Sequence, residues 1–404
     1  MNFELQADSL LPGGVPSVLG DSQQRYITKG KGGRCWDQLG QEYIDFICGY
    51  GPIILGHAHA EVNQAAIAQM EAGVLFPSDS PLHMELEKVL SALFPHTTRC
   101  LFLKTGSEAV SAAVRLARAF TGKMKIIRCG FHGWHDSMMA QHVGWHLYTA
   151  DIHPPRSTVG IPDNLEILTW KGENLEELKD LFRLNRGEIA ALILDPIQLR
   201  EPCDDNLQAL RDLTHTEEAL LILDEIKTGF RVHLGGVQGL YGIQADLTLL
   251  SKALANGFPL SVVIGRAELV DLAGVTKIMG TYNNELLSVA AALKTIAILQ
   301  RPGIVDGLWD RGQQLIAGLN GSLAEHGWGD LVQAVAYRWP CMPALWFRNA
   351  YLLEKKLPKE LAKQGVLILA NHPSFVCVEH TAEDVETAIQ RFDQTVVSLK
   401  KDLP

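Results

Sequence analysis

Long apolar runs, blocks of like charge and closely spaced cysteines are all scarce in this chain, and each shortage closes off a class of protein. No apolar run reaches the ~20 residues that span a bilayer, so no membrane-spanning helix is expected. The net charge of −10 is spread along 404 residues without acidic or basic blocks, which leaves no electrostatic footprint for nucleic acid or an anionic membrane. Seven cysteines, at 35, 48, 100, 129, 203, 341 and 377, are odd in number and lack short paired spacings. They read as reduced thiols of a cytoplasmic protein rather than a disulfide framework or a zinc site. The acidic stretch at residues 1–8 lacks the basic-then-apolar order of a secretory signal.

What is present is apolar residues at 47% against 20% charged, enough for a large core and a second, smaller domain. From Arg99 to Lys252 apolar strands alternate with amphipathic helices, the pattern of a mostly parallel sheet covered by helices on both faces. Ligands of such sheets bind beyond the carboxyl ends of the strands, where Thr105, Phe131, Asp195 and Asp224 fall. The run Leu220–Asp224 ends in two acids, Asp224 and Glu225, and Lys252 follows 28 residues after Asp224. An acid at one strand end and a lysine beyond the next suit a cofactor with one basic ring nitrogen and one aldehyde. Lys252, between an apolar strand and a Gly/Pro loop, is either a desolvated nucleophile or a solvated loop lysine.

Thr105-Gly106-Ser107 turns a strand into a helix whose first amides suit a phosphate; the alternative is an ordinary Ser N-cap with Glu108 in the first turn. Phe131, beside glycines just after a strand, can lie flat on a ring, and His132 next to it is structural or catalytic. No metal site is expected, because His132/His135 and His57/His59 lack a third ligand at a suitable spacing. Residues 142–162, rich in Trp, His, Pro and Gly, read as a long loop beside the substrate.

Taken together, Leu11-Pro-Gly-Gly14, Tyr43-Ile-Asp-Phe46, Gly51 to His59, Lys104 to Arg118, Phe131-His-Gly133, Asp224 to Arg231, Asp246 to Lys252 and Gly280-Thr281 span most of the chain. In these words and their order it resembles the class III, fold type I, pyridoxal 5'-phosphate (PLP) aminotransferases, most of all the glutamate-1-semialdehyde aminomutase branch. The resemblance implies a large domain at 51–290 with a mostly parallel seven-stranded sheet. It also implies a small α+β domain at 291–404, packed with the N-terminal segment 1–50. Lys252 would hold PLP as a Schiff base and shuttle the proton, and Asp224 would keep the ring nitrogen protonated. Thr105, Gly106 and Ser107 would take the phosphate, Phe131 would stack on the ring, and His132 would complete the cofactor pocket. Thr281 would reach the phosphate from a second subunit, which requires a homodimer.

The expected reaction moves an amino group from a donor to a carbonyl acceptor through pyridoxamine phosphate. An intramolecular aminomutase and a non-catalytic PLP-binding paralogue are the alternatives. Several positions depart from the family's words. Asp195-Pro196 replaces Glu-Pro, Ala255-Asn256-Gly257 replaces Gly-Gly-Gly, and Val15-Pro-Ser17 stands where the aminomutases carry a carboxylate-binding arginine. Substrate choice is therefore assigned to Ser17, Arg25, Arg200 and Asn256, with either arginine able to replace the missing charge. Beyond Ser288, helices are expected to Leu299, over Ile304–His326 and over Thr381–Lys400. Short strands are expected between them, and the small domain reads as shortened between Phe347 and Gly365.

Overall fold

The computed structural model describes residues 25–139, 160–198, 203–348 and 350–402. Ser17, Arg200, the Leu11–Gly14 turn and most of the 142–162 loop lie outside these residues. The chain divides into two compact units, Met1–Ala60 with Pro302–Pro404, and Glu61–Arg301.

In the first unit, β1 (Ile27–Lys31), β2 (Arg34–Asp37) and β3 (Glu42–Asp45) form an antiparallel ribbon. The second unit holds β4 (Arg99–Leu103), β5 (Lys125–Cys129), β6 (Ile167–Thr169), β7 (Ile189–Leu194), β8 (Leu220–Asp224), β9 (Leu247–Leu250) and β10 (Ser261–Gly265). They make one seven-stranded sheet in the order β4-β10-β9-β8-β7-β5-β6. β9, β8, β7, β5 and β6 run parallel, and β10 is antiparallel to both of its neighbours, so β4 points the same way as the five. Every residue of β7, β8 and β9 is buried, which explains why these strands read as continuous apolar runs rather than alternating ones. The helix Gly106–Thr121 turns Ala109, Ala113, Val114, Leu116 and Ala117 into the same core as Ile193, Ile222, Leu249 and Val263. Its alanines let it lie close to the sheet, and Gly122, at φ 70°, ends it in the left-handed region.

The chain returns to the first unit with β11 (Val332–Ala336), β12 (Pro343–Phe347) and β13 (Val366–Leu367). β11 and β12 pair with each other, while β13 adds in parallel to β3, with Val366 opposite Ile44. The stretch between Phe347 and Gly365 holds a helix, Tyr351–Lys363. Pro358 inside it removes an N–H donor, which hides the helix from a reading of the sequence. Leu353, Leu357 and Leu361, four apart, face the core formed with Leu315, Leu319, Leu323 and Phe392, and this buried stripe outweighs the missing bond. Leu357→Ala should therefore cost roughly 2–5 kcal/mol, read as a lower denaturant midpoint with unchanged slope.

Candidate active site

Five strands of the large sheet with one polarity, β4, β5, β7, β8 and β9, deliver chemistry-bearing residues at or just past their carboxyl ends. These are Thr105 to Ser107, Phe131 and His132, Asp195, Asp224, and Lys252. A sheet with one polarity brings such ends to one edge, so residues far apart in sequence become neighbours.

At the centre, Asp224 is buried and its Oδ2 lies 2.7 Å from His132 Nδ1. The other ring nitrogen, Nε2, lies 3.1 Å from the Cys129 carbonyl oxygen and donates to it. The Nδ1 contact then needs one more proton, on the ring or on the carboxylate. His132 is thus a buried partner that holds the carboxylate in place. Asp224 Oδ1 also accepts from the Ile226 amide at 3.2 Å. Glu225, the second acid of the run, has a different job. Its carboxylate accepts from Thr228 Oγ1 at 2.6 Å and from the Val237 and Gln238 amides at 2.8 and 3.1 Å. Burial raises the Glu225 carboxyl to about 7 despite these bonds.

Lys252 opens the short 3-10 turn Lys252–Ala255 with φ 46°, a left-handed backbone that a side chain with a Cβ adopts at a cost of about 1–2 kcal/mol. Ser251 braces this turn by donating from Oγ to the Leu260 carbonyl at 2.8 Å. Asn256 ends it at φ 45°, a conformation that asparagine tolerates better than most residues, so it occupies a glycine-like position without glycine. The Lys252 amine is lowered to about 7; burial is the largest cause and Lys227 also lowers it, Asp195 and Asp224 pull it upward, and Arg231 adds a smaller downward push. A desolvated amine of this kind is nucleophilic near neutrality, whereas an ordinary lysine is almost wholly protonated there.

The helix Gly106–Thr121 begins beside this group. Its cap is Thr105, not Ser107 as the ordinary reading had it. Thr105 has extended backbone (φ −122°, ψ 155°), accepts from the Glu108 amide at 3.3 Å, and its own amide donates to Glu108 Oε2 at 2.7 Å. With the capping box closed by these two residues, Ser107 is released from capping and stands in the first turn with the Gly106 amide. Space there is tight. A Cβ on Gly106 would come within 2.9 Å of Ile226 Cδ1, and one on Gly133, at φ 79°, within 2.2 Å of Ser107 Oγ. Such a glycine-floored cradle at a helix N-terminus fits a phosphate. Arg128 supports the next wall, donating to the carbonyls of Gly130 and Met138 at 2.8 and 2.9 Å.

A pairing that the motifs did not single out completes the cluster. Lys227 Nζ lies 2.7 Å from Asp195 Oδ2 and 5.6 Å from the centre of the Phe131 ring. The signal was present in the sequence as a lysine three residues after Asp224 and an acid at the end of β7, but nothing in their spacing pairs them. Elsewhere, Arg25 sits in the first unit with its Nη1 2.9 Å from Tyr43 Oη and 3.5 Å from Asp37 Oδ2. Thr281 is exposed, between exposed Met279 and Tyr282. His57 bonds Asp45 and His135 bonds Ser111. Among the described residues two trios of metal-ligating side chains come together, Cys48/Cys377/His380 and Glu325/His326/Asp393, and neither contains His57, His59, His132 or His135.

A fold type I sheet with a buried amine, a carboxylate held by an imidazole and a phosphate cradle at its carboxyl edge defines a PLP-dependent transferase. The family model for class III aminotransferases matches residues 18–396, and the chain belongs to that family, whose cofactor is PLP. It is 33% identical to the 3-aminobutyryl-CoA aminotransferase of Cloacimonas acidaminovorans over all of this chain and 98% of that one. It is 31% identical to the glutamate-1-semialdehyde 2,1-aminomutase of Archaeoglobus fulgidus over 97% of each. In structure it is similar to the PLP internal aldimine form of the FumI protein of Sphingopyxis sp. MTA144. The TM-score is 0.82 at 25% identity, over 97% of this chain and 94% of that one.

The lowered Lys252 amine gives a signed pH prediction. Its neutral form grows as pH rises through about 7, so cofactor-free protein should capture PLP with a rate that climbs to half its maximum near pH 7. Stopped-flow absorbance across pH 5–10 checks this; a climb centred near 10, as for an exposed lysine, is the contrary result.

Proposed function

We propose that this class III enzyme transfers an amino group between two substrates, carrying PLP on Lys252, and that its amino donor presents no free carboxylate next to the reacting carbon. The observation that carries the reading is the desolvated Lys252 amine, whose proton is attracted by an Asp224 carboxylate that His132 holds. When bound, PLP supplies an aldehyde that takes up the amine and a ring that accepts the electrons left by deprotonation. Lys252 Nζ would hold the cofactor and then move the proton. Asp224, fixed by His132, would hold a proton on the ring nitrogen. The amides of Gly106 and Ser107, with the hydroxyls of Thr105 and Ser107, would orient the phosphate, and Phe131 would cover the ring. Arg128 and the glycine floor keep this frame in register.

The choice of external transfer rests on Ser17, which stands where the aminomutase pattern has an arginine for a substrate carboxylate. A β-amino thioester, of the kind named for the Cloacimonas relative, has its carboxyl masked and needs no such arginine. The Archaeoglobus relative supports the second reading, an intramolecular aminomutase. Exposure of Thr281 with its neighbours Met279 and Tyr282 supports a homodimer in which this loop is offered to a second copy. The composition supports a cytoplasmic setting, and no described helix is long and apolar enough to cross a membrane.

Supplied with 3-aminobutyryl-CoA and 2-oxoglutarate, the PLP-loaded protein should form glutamate, and Lys252→Ala should form none. Isomerisation of glutamate-1-semialdehyde without any acceptor, together with no glutamate from the thioester, would replace transfer by the mutase reading.

A further inference from the structure

Cys48, Cys377 and His380 stand outside the cofactor contacts assigned above, and all three are fully buried. Cys48 comes from the N-terminal part of the first unit and the other two from its C-terminal part. Cys377 and His380 open and close one turn, in which the His380 amide donates to the Cys377 carbonyl at 3.1 Å. Backbone bonds from Phe375 to Phe46 (2.6 Å), Val378 to Ile54 (2.8 Å) and Glu379 to Leu55 (3.2 Å) draw the two segments side by side. Two sulfurs and a ring nitrogen are thereby brought within 4.8 Å of one another. The imidazole is firmly placed. It stacks on Phe46 with ring centres 4.4 Å apart, and a Cβ on Gly33 would come within 2.3 Å of its Cδ2. Its Nδ1 accepts from the Cys377 amide at 3.0 Å, while Nε2 is buried with no hydrogen-bond partner among the described residues.

We propose that Cys48, Cys377 and His380 form a binding site for one thiophilic divalent cation of the zinc class, which clips the Cys48 turn to the C-terminal segment. Two sulfurs and an imidazole are the soft donor set such an ion takes, whereas magnesium and calcium demand oxygens. Tetrahedral zinc keeps donors of this kind about 3.5–3.8 Å apart, so side-chain shifts of about 1 Å close the set. Two thiolates with a neutral imidazole also cancel the charge of a divalent ion, the condition for keeping it in a dry interior. Binding breaks two S–H bonds, forms two metal–sulfur bonds and sends both protons to solvent. The carbonyl oxygens of Asp45 and Phe375, 3.1 and 3.4 Å from Cys48 Sγ, can supply a fourth donor. The turn gives the clip a purpose. Cys48, Gly49, Tyr50 and Gly51 lie in succession at φ 50°, 63°, 65° and 106°, and strain at the two non-glycine positions persists only where the surroundings fix it. Spacing along the sequence hides the site, because only Cys377 and His380 are near each other in it.

The test titrates the full-length, PLP-loaded protein, reduced and stripped with chelator, with Cd²⁺ alone and then with Zn²⁺ in competition. The parent should take up one Cd²⁺ per chain with the ultraviolet absorption of thiolate-to-cadmium charge transfer, release two protons per ion, and lose that absorption as Zn²⁺ displaces it. Its thermal midpoint should rise with the concentration of free ion. Cys48→Ser and Cys377→Ser should each abolish stoichiometric uptake, and His380→Gln should weaken it roughly tenfold or more. Cys100→Ser, outside the cluster, should bind as the parent does. Cys48→Ala and Cys377→Ala are the second pair should the serine variants not fold. Absence of stoichiometric uptake by the parent overturns the proposal, as does uptake that survives in both cysteine variants. Closure of Cys48 onto Cys377 as a disulfide in air, with no ion bound by the reduced protein, would also overturn it and assign the pair to thiol redox chemistry. None of these readouts requires Lys252 to carry PLP, so failure here and failure of the proposed function are distinct.

Discussion

The desolvation of one amine sets the terms for the rest of this site. A lysine with its charge in water is a poor nucleophile at neutral pH because nearly all of it is protonated, and removal from water raises the neutral, reactive fraction. The sheet achieves this by placing Lys252 past the fully buried strand β9, on a left-handed residue braced by Ser251 and followed by the buried Ala253, Leu254 and Ala255. Everything charged nearby must then be paired. Asp224 is held by His132, Asp195 by Lys227, and Glu225 by the Val237 and Gln238 amides and Thr228. An unpaired ion in so dry a place would cost more than any single contact could return.

The large sheet was legible because buried parallel strands write themselves as continuous apolar runs and the intervening helices have clear ends. Pro81–Leu93 and Leu175–Leu184 show this well, the first capped by Ser80 and the second by Asn174. The helix Tyr351–Lys363 was not legible, since an internal proline argues against a helix and only the tertiary core overrules it. The Ser cap, the alternative at this helix start, is displaced by Thr105 for a more local reason. Thr105 and Ser107 are both good caps, and the reciprocal bond to Glu108, three residues beyond Thr105, selects the threonine.

Thr105, Phe131 and Asp195 could be placed at strand ends from the sequence, because each sits beside glycine or proline there. The pairings within the site could not. His132 faces Asp224 across 92 residues and Lys227 faces Asp195 across 32, and such partners are set by strand order, which periodicity does not encode. The same holds for the buried Cys48, Cys377 and His380, drawn together from opposite ends of the chain. Membership of the class III family fixes the cofactor, and its relatives include both an aminotransferase and an aminomutase. We propose that substrate choice lies with the positions that depart from the family's words, Ser17 and Asn256 among them; Asn256 keeps a left-handed backbone at φ 45° while carrying a side chain.

The central claim is that Lys252, alone among the lysines of this chain, carries the cofactor. Reduction of the PLP-loaded protein with borohydride, followed by proteolysis and mass spectrometry, tests it directly. The account predicts a single pyridoxyl-modified peptide containing Lys252. Attachment at Lys227 instead, or full activity with Lys252 unmodified, would contradict it.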